Sequence, residues 1–91
     1  MKSAVLESSF MDRAIVIFKS ENKGINVDID IPLDITASEL VIALNSAYSL
    51  GIDTGNIRDC YLKSENPIAL IKGNRFLKEY GIRNGSVIYH K

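Results

Sequence analysis

Chemically reactive side chains are scarce in this sequence. Among its 91 residues there are one cysteine, one histidine and no tryptophan. The single cysteine, Cys60, excludes an internal disulfide and any metal or iron–sulfur site that needs several cysteine ligands. The single histidine, His90, lies one residue from the end, where we expect a surface side chain and no catalytic triad. The sequence therefore predicts no catalytic residue, no metal site and no cofactor.

The sequence also has no excess of positive or negative charge. Eleven basic and eleven acidic residues give a formal net charge of zero, so the basic surface that attracts nucleic acid or an anionic membrane is not predicted. No apolar run approaches the roughly 20 residues of a transmembrane helix. The opening MKSAVLESSFMDR lacks the long apolar stretch of a secretory signal. We therefore expect a cytoplasmic protein that binds no nucleic acid and does not insert into membranes.

The rest of the composition is that of an ordinary folded domain. Hydrophobic residues make up 46% and charged residues 24% of the chain, which distinguishes it from disordered sequences. The length suits one domain and is too short for two. Because the fold could begin near Met11, we expect an N-terminal extension over residues 1–12, either a flexible tail or a helical extension. One domain is expected over residues 13–91.

Two strands are predicted at the start of this domain. RAIVIFK (Arg13–Lys19) is apolar on both faces and rich in β-branched residues, as central strands are. SENKG then supplies turn residues. In INVDIDIP, Val27, Ile29 and Ile31 alternate with polar residues, which indicates one buried and one solvated face. Pro32 ends the pairing, and the whole pattern predicts a β-hairpin.

A helix is predicted next, in TASELVIALNSAYSLG. Thr36 and Glu39 have the spacing of a capping box, so Thr36 is the expected N-cap. Gly51 is expected to close the helix in the left-handed conformation. Ile42 lies nearly opposite the apolar face and is expected to be exposed. That apolar face consists of Ala37, Leu40, Val41, Leu44, Ala47 and Tyr48.

Three shorter strands are predicted in the second half, in RDCYLK, IALIKG and SVIYHK. The segment NRFLKEYGI before the last strand is a compact connection with a 3₁₀ turn. The order is then β-β-α-β-β-β, with one helix packed on one face of a mixed sheet. This α+β order is that of the ubiquitin-like β-grasp fold, in which the first strand pairs with the last and the last with the third.

The closing segment points to a family. Leu77-x-x-Tyr80-Gly81-Ile82-x-Asn84-Gly85 resembles the segment of ubiquitin-like proteins in which the tyrosine ties the connection to the helix end. The short domain, the junction DIDIPLDITASELVIAL and the segment YGIRNGSVI are similar to the YukD family. This family, also called EsaB, belongs to the type VII secretion systems of Gram-positive bacteria. The resemblance extends over residues 13–91.

The resemblance implies a function in protein binding. YukD-like proteins are ubiquitin-like but not conjugated, and they act as accessory or regulatory components of the secretion machinery. The sequence ends on VIYHK without the diglycine tail of a modifier, and only glycine threads a narrow enzyme site without Cβ clashes. The alternative is a ubiquitin-like modifier or sulfur carrier whose tail is absent from this chain. A ligand- or RNA-binding β-grasp module is a third interpretation, which the zero net charge disfavours.

The sheet face away from the helix is the predicted partner-binding site. Alternation assigns to the helix side Val16, Phe18, Val27, Ile29, Ile31, Cys60, Leu62 and Ile88. The opposite side receives Ile15, Ile17, Tyr61, Val87 and Tyr89. An exposed apolar surface of this kind usually marks an interaction, and the resemblance implies that partners bind this face as they bind ubiquitin. Ile42 is a second candidate.

Two alternatives to this site remain. One or more strands could have the opposite phase, or the N-terminal segment could cover the face. If the face is open, we expect it to bind a protein of the secretion machinery and to support weak self-association.

Overall fold

The computed structural model describes residues 12–91. In chain order these form β1 (Arg13–Ser20), β2 (Ile25–Pro32), α1 (Ala37–Tyr48), β3 (Tyr61–Glu65), β4 (Ala69–Lys72), a 3₁₀ turn (Leu77–Tyr80) and β5 (Val87–His90). The extension predicted over residues 1–12 lies outside the described residues, apart from Asp12. The Asp12 carbonyl accepts a hydrogen bond from the Leu33 N–H at 2.7 Å, which fixes the entry to β1 beside the end of β2.

The five strands form one mixed sheet in the order β2-β1-β5-β3-β4. β1 and β5 run parallel, and the other neighbouring strands are antiparallel. The predicted pairings of the first strand with the last and of the last with the third are confirmed. With α1 packed against one face, these residues have the β-grasp architecture that the sequence predicts.

The two strands of the hairpin differ in how fully their apolar side chains are covered. β1 lies inside the sheet, and its Val16 and Phe18 are fully buried. β2 is an edge strand, where Ile31 is buried but Val27 is 38% exposed. The prediction that Val27 is buried is therefore wrong, because an edge strand has a neighbouring strand on one side only and its outer flank stays open to water.

α1 begins as predicted and ends differently. The Glu39 N–H donates to Thr36 Oγ1 at 3.2 Å, and the Thr36 N–H donates to Glu39 Oε1 at 2.8 Å, which completes the capping box. At the other end the C-cap is Ser49, with φ 54° and its N–H bonded to the Asn45 carbonyl. Gly51 is left-handed as predicted, with φ 78°, but it lies two residues beyond the cap. Ala47 in the last turn is exposed, so the prediction that it lies on the buried face is wrong.

β3 begins later than predicted. The sequence predicts a strand from Arg58, whereas the strand starts at Tyr61. Asn56 is the reason, because its carbonyl accepts hydrogen bonds from the N–H groups of Asp59 and Cys60 at 2.9 and 3.1 Å. Its side-chain oxygen also accepts from the Arg58 N–H at 3.0 Å, so an asparagine turn holds the backbone that would otherwise pair. Cys60 is nevertheless buried, as alternation predicts.

The core lies between α1 and the sheet. Phe18 at its centre stacks against Tyr48 of α1, with ring centroids 5.1 Å apart and planes tilted by 42°. The 3₁₀ turn adds Leu77, which is fully buried. The other buried apolar residues are Ala14, Val16, Ile31, Leu33, Ala37, Leu40, Val41, Leu44, Leu50, Cys60, Leu62, Ile71, Ile82 and Ile88.

Tyr80 ties the 3₁₀ turn to β4 rather than to the helix end. Its hydroxyl donates to the Lys72 carbonyl at 2.7 Å and lies 3.4 Å from the Lys72 N–H. The Arg75 guanidinium stands 5.2 Å from the centre of its ring. The resemblance to ubiquitin implies a contact with the helix end, and this is wrong, because the hydroxyl bonds the backbone of Lys72 in β4 instead.

Removing this hydroxyl is expected to destabilise the fold modestly. The bond lies on an exposed part of β4, so water can replace the hydroxyl at the Lys72 carbonyl, and Tyr80→Phe should cost about 0.5–1.5 kcal/mol. Urea unfolding monitored by circular dichroism measures the difference. Tyr61→Phe, which removes a hydroxyl from the sheet surface, is the control and should change the free energy of unfolding by less than about 0.5 kcal/mol. Equal stability of Tyr80→Phe and wild type would contradict a structural role for the hydroxyl.

Candidate functional site

The sheet face that α1 leaves uncovered, called the open face below, carries all five residues predicted for it. Ile15 and Ile17 project from β1, Val87 and Tyr89 from β5, and Tyr61 from β3. Ile15 is 55% exposed, and the other four are partly exposed. Because residues that face each other on neighbouring strands lie on the same side of a sheet, the strand register fixes how these side chains are grouped.

One row across the open face is apolar in the middle and acidic at its ends. Ile17 of β1 lies opposite Val87 of β5. Asp28 of β2 continues the row on one side and Glu65 of β3 on the other. We call these four residues the Val87 row. It places two of the predicted residues opposite each other, and Ile15 lies two residues earlier on β1, on the same side.

The next row is basic and aromatic. Tyr89 of β5 has Lys19 of β1 opposite it on one side and Lys63 of β3 on the other. Asn26 of β2 and Leu70 of β4 complete this row, called the Tyr89 row below. Tyr61 lies two residues before Lys63 and diagonally from Tyr89, within reach of an aromatic side chain.

Two open pockets border Tyr89. The first has a volume of about 270 Å³ and lies toward β3, where Tyr61 and Lys63 line it together with Asp53 and Asp59. The second has a volume of about 350 Å³ and lies toward β1, with Lys19, Glu21, Glu65 and Val87 among its lining residues. Tyr89, His90 and Lys91 line both depressions, and each depression contains both charged and apolar groups.

The sequence-based prediction misses the lysines and Leu70. It describes the five residues as one apolar patch, whereas Lys19 and Lys63 flank Tyr89 within its row. Leu70 is 44% exposed on the same face. Alternation within each strand does place Lys19 and Lys63 on this side. Only the pairing of distant strands places them beside Tyr89, and no local pattern contains that information.

The charges of the open face are unevenly paired. Arg13 and Asp30, at the far end of β1 and β2, form an ion pair with Nε and Oδ1 3.0 Å apart. Within residues 12–91 neither Lys19 nor Lys63 makes an ion pair. The lysine ammonium groups therefore stay available to an external anion.

His90 lies at the surface near the end of β5, as its position predicts, and is partly buried there. Its Nδ1 is buried and has no hydrogen-bond partner within residues 12–91. Burial lowers the pKa of His90 below its ordinary value, and the positive charges of Lys91 and Lys23 lower it further. Both effects favour the neutral imidazole.

The second candidate, Ile42, lies on the outer side of α1 and is 50% exposed. It belongs to a different surface from the open face, because α1 covers the other side of the sheet. Ile57 and Ile68 are more exposed, at 82% and 90%, and both lie in the connections around β3 and β4. Single exposed apolar residues are common on folded domains, so none of these three forms a surface comparable with the open face.

Two findings concern other kinds of site. In the range 12–91, no group of three or more His, Cys, Asp or Glu side chains is arranged to hold a metal ion. No helix in the described part of the chain is long and apolar enough to cross a membrane. The prediction that the N-terminal segment could cover the open face concerns residues outside that part.

Solved ubiquitin-like domains share this fold. The C-terminal ubiquitin-like domain of mouse tubulin-specific chaperone e is 16% identical at a TM-score of 0.63, over 87% of this chain and 84% of that one. A ubiquitin-like domain from tubulin-binding cofactor B is 13% identical at 0.67, over 87% and 88%. The UBL domain of Plasmodium falciparum Dsk2 is 20% identical at 0.56, over 88% and 100%. These identities establish the fold alone.

The family follows from a match of sequence profiles. Among curated proteins, none matches the chain significantly. The profile of YukD, described as a protein of the WXG100 protein secretion system (Wss), matches residues 14–89. The match covers all five strands except the ends of β1 and β5, and it includes α1 and the 3₁₀ turn. The chain therefore belongs to the YukD family of the WXG100 protein secretion system.

Proposed function

We propose that this protein is a non-conjugated accessory or regulatory component of a bacterial WXG100 secretion system, acting in the cytoplasm by binding another protein of that system. The observation that carries the proposal is the YukD profile match over residues 14–89. Membership in this family supports a role in secretion, and the ubiquitin-like fold supports a role in binding.

The open face is the proposed binding surface. Tyr89 lines both pockets, which offers a partner an aromatic ridge bordered by depressions. Aromatic residues near the centre of an interface commonly dominate its binding energy. The Val87 row adds apolar area beside this ridge. Ile42 on the outer side of α1 is the competing surface.

Capture from a Gram-positive host that carries a WXG100 secretion system tests the proposal. The full chain, its Tyr89→Asp variant and its Ile42→Asp variant are immobilised, and bound proteins are identified by mass spectrometry. Wild type and Ile42→Asp are expected to retain a component of the secretion system that Tyr89→Asp loses. In a strain lacking the gene, Tyr89→Asp should also fail to restore export of the WXG100 substrate, while Ile42→Asp restores it.

Three results would change the conclusion. Retention by Tyr89→Asp together with loss by Ile42→Asp would move the binding surface to the helix. Normal substrate export without the gene would remove the role in secretion. An adduct that survives boiling in SDS and joins the C-terminus of this chain to another protein would favour the alternative of a modifier or sulfur carrier.

A further inference from the structure

Positive charge is concentrated around Tyr89. Both neighbours of Tyr89 in its row are lysines, Lys19 on β1 and Lys63 on β3. A third lysine, Lys72, lies opposite Tyr61 on β4. All three are exposed, and each lies opposite or diagonal to a partly exposed tyrosine on the open face. An aromatic ring between two ammonium groups combines an apolar contact surface with an electrostatic preference for an anion.

None of the three lysines forms an ion pair among residues 12–91. The ion pairs in this range join Arg13 to Asp30 and Arg75 to Glu79. Charges left unpaired on a surface cost little in water, but they select partners of opposite charge and speed their association. The charge that complements the Tyr89 row is therefore negative.

Carboxylates limit how far this positive region extends. Asp28 and Glu65 end the adjacent Val87 row. Asp53 and Asp59 line the pocket on the β3 side, and Glu21 lines the pocket on the β1 side. A long nucleic-acid strand would extend beyond the lysines in both directions, and these carboxylates would repel its phosphates. A short anionic segment fits between them.

We propose that the Tyr89 row recognises a short acidic linear segment of the partner protein, with two carboxylate side chains bound by Lys19 and Lys63 and an apolar side chain between them on Tyr89. This inference rests on the proposed function and specifies the chemistry of the partner.

The spacing of the row matches an extended segment. Lys19 and Lys63 lie on strands two positions apart, so their Cα atoms are separated by roughly 10 Å. In an extended peptide the side chains of residues i, i+2 and i+4 point to one side, and the outer two lie about 13 Å apart. Lysine side chains are long and flexible enough to span this difference. The expected pattern is acidic, any residue, apolar, any residue, acidic.

A synthetic peptide with this pattern provides the test. A fluorescein-labelled nonapeptide with two glutamates flanking a leucine at i, i+2 and i+4 is titrated with the full chain, and binding is followed by fluorescence anisotropy. Lys19→Gln/Lys63→Gln should weaken binding about fivefold, because two exposed charge pairs are lost. Raising the salt concentration from about 0.05 M to about 0.5 M should weaken wild-type binding as well, through screening.

The matched control keeps the same change in net charge. Lys78→Gln/Arg83→Gln removes two positive charges from exposed positions in and after the 3₁₀ turn, and it should bind the peptide as wild type does. A second peptide carries glutamines in place of the glutamates and should bind more weakly. The salt titration and the glutamine peptide use the wild-type chain, so they remain informative even if a variant folds poorly.

Several outcomes overturn the inference. These are equal binding of the glutamine peptide, equal weakening by the control variant, or no binding of the acidic peptide up to about 2 mM. Tighter binding of an oligothymidylate of similar length would assign the lysines to nucleic acid instead. If the acidic peptide fails while capture of the secretion component still depends on Tyr89, the proposed function stands and only the partner chemistry is wrong.

Discussion

Phe18→Ala is expected to remove about 3–5 kcal/mol from the free energy of unfolding, the range observed when a buried phenylalanine is truncated. Phe18 is fully buried at the centre of the sheet and packs on Tyr48 of α1, so the substitution leaves a cavity between the two layers. A domain of this size has only about 5–15 kcal/mol of stability in total. The melting temperature should therefore fall by roughly 12–40 °C, measured by thermal unfolding with circular dichroism.

Phe76→Ala is the matched control for this substitution. It makes the same chemical change at a position that is 42% exposed, just before the 3₁₀ turn. Its cost should stay near or below about 1 kcal/mol, because little buried apolar area is lost. Similar losses for the two variants would show that Phe18 is not at the centre of the core and that the layers are arranged differently.

The sequence was sufficient for those parts of the fold that depend on neighbouring residues. The capping box of Thr36 and Glu39 is a local arrangement of side chains and backbone, and both of its hydrogen bonds are present. The alternation in β1 likewise gave the correct facing of Ile15 and Val16, because the period of a strand is a local property. The β-grasp order followed from combining these elements.

The errors in the predicted helix end and strand start arise where a hydrogen bond from a side chain determines the backbone conformation. Gly51 is the conventional residue to end a helix, but Asn45 binds both the N–H and the carbonyl of Ile52 at 2.9 and 3.1 Å. These two bonds hold the chain against the last turn of the helix, where Ser49 is the C-cap and the left-handed Gly51 follows two residues later. The turn around Asn56 delays β3 in the same way. Residue propensities for strands and helix ends do not describe the hydrogen bonds that an asparagine side chain makes with the backbone.

The candidate site shows the same limit on a larger scale. Its members could be assigned to one face from alternation alone, and Tyr61 and Tyr89 lie where that reasoning puts them. The neighbours of these residues could not be assigned, because they depend on how β5 is aligned with β1 and β3. Lys19 and Tyr89, for example, are paired although more than sixty residues of chain separate them. That register places a lysine on each side of Tyr89, and this is the observation on which the proposal of an acidic partner segment rests.

Tyr89→Ala is expected to weaken binding of the captured secretion component about thirtyfold, equivalent to about 2 kcal/mol, because Tyr89 lies at the centre of the open face. Isothermal titration of the purified pair measures the affinity, and thermal unfolding measures the fold, which should change by about 0.5 kcal/mol or less. Tyr48→Ala is the matched control with the opposite pattern, since Tyr48 packs on Phe18. It should lower stability and leave the affinity of the folded fraction unchanged.

If instead Tyr89→Ala unfolds readily and binds normally once folded, the open face serves the fold, and the outer side of α1 around Ile42 becomes the binding surface.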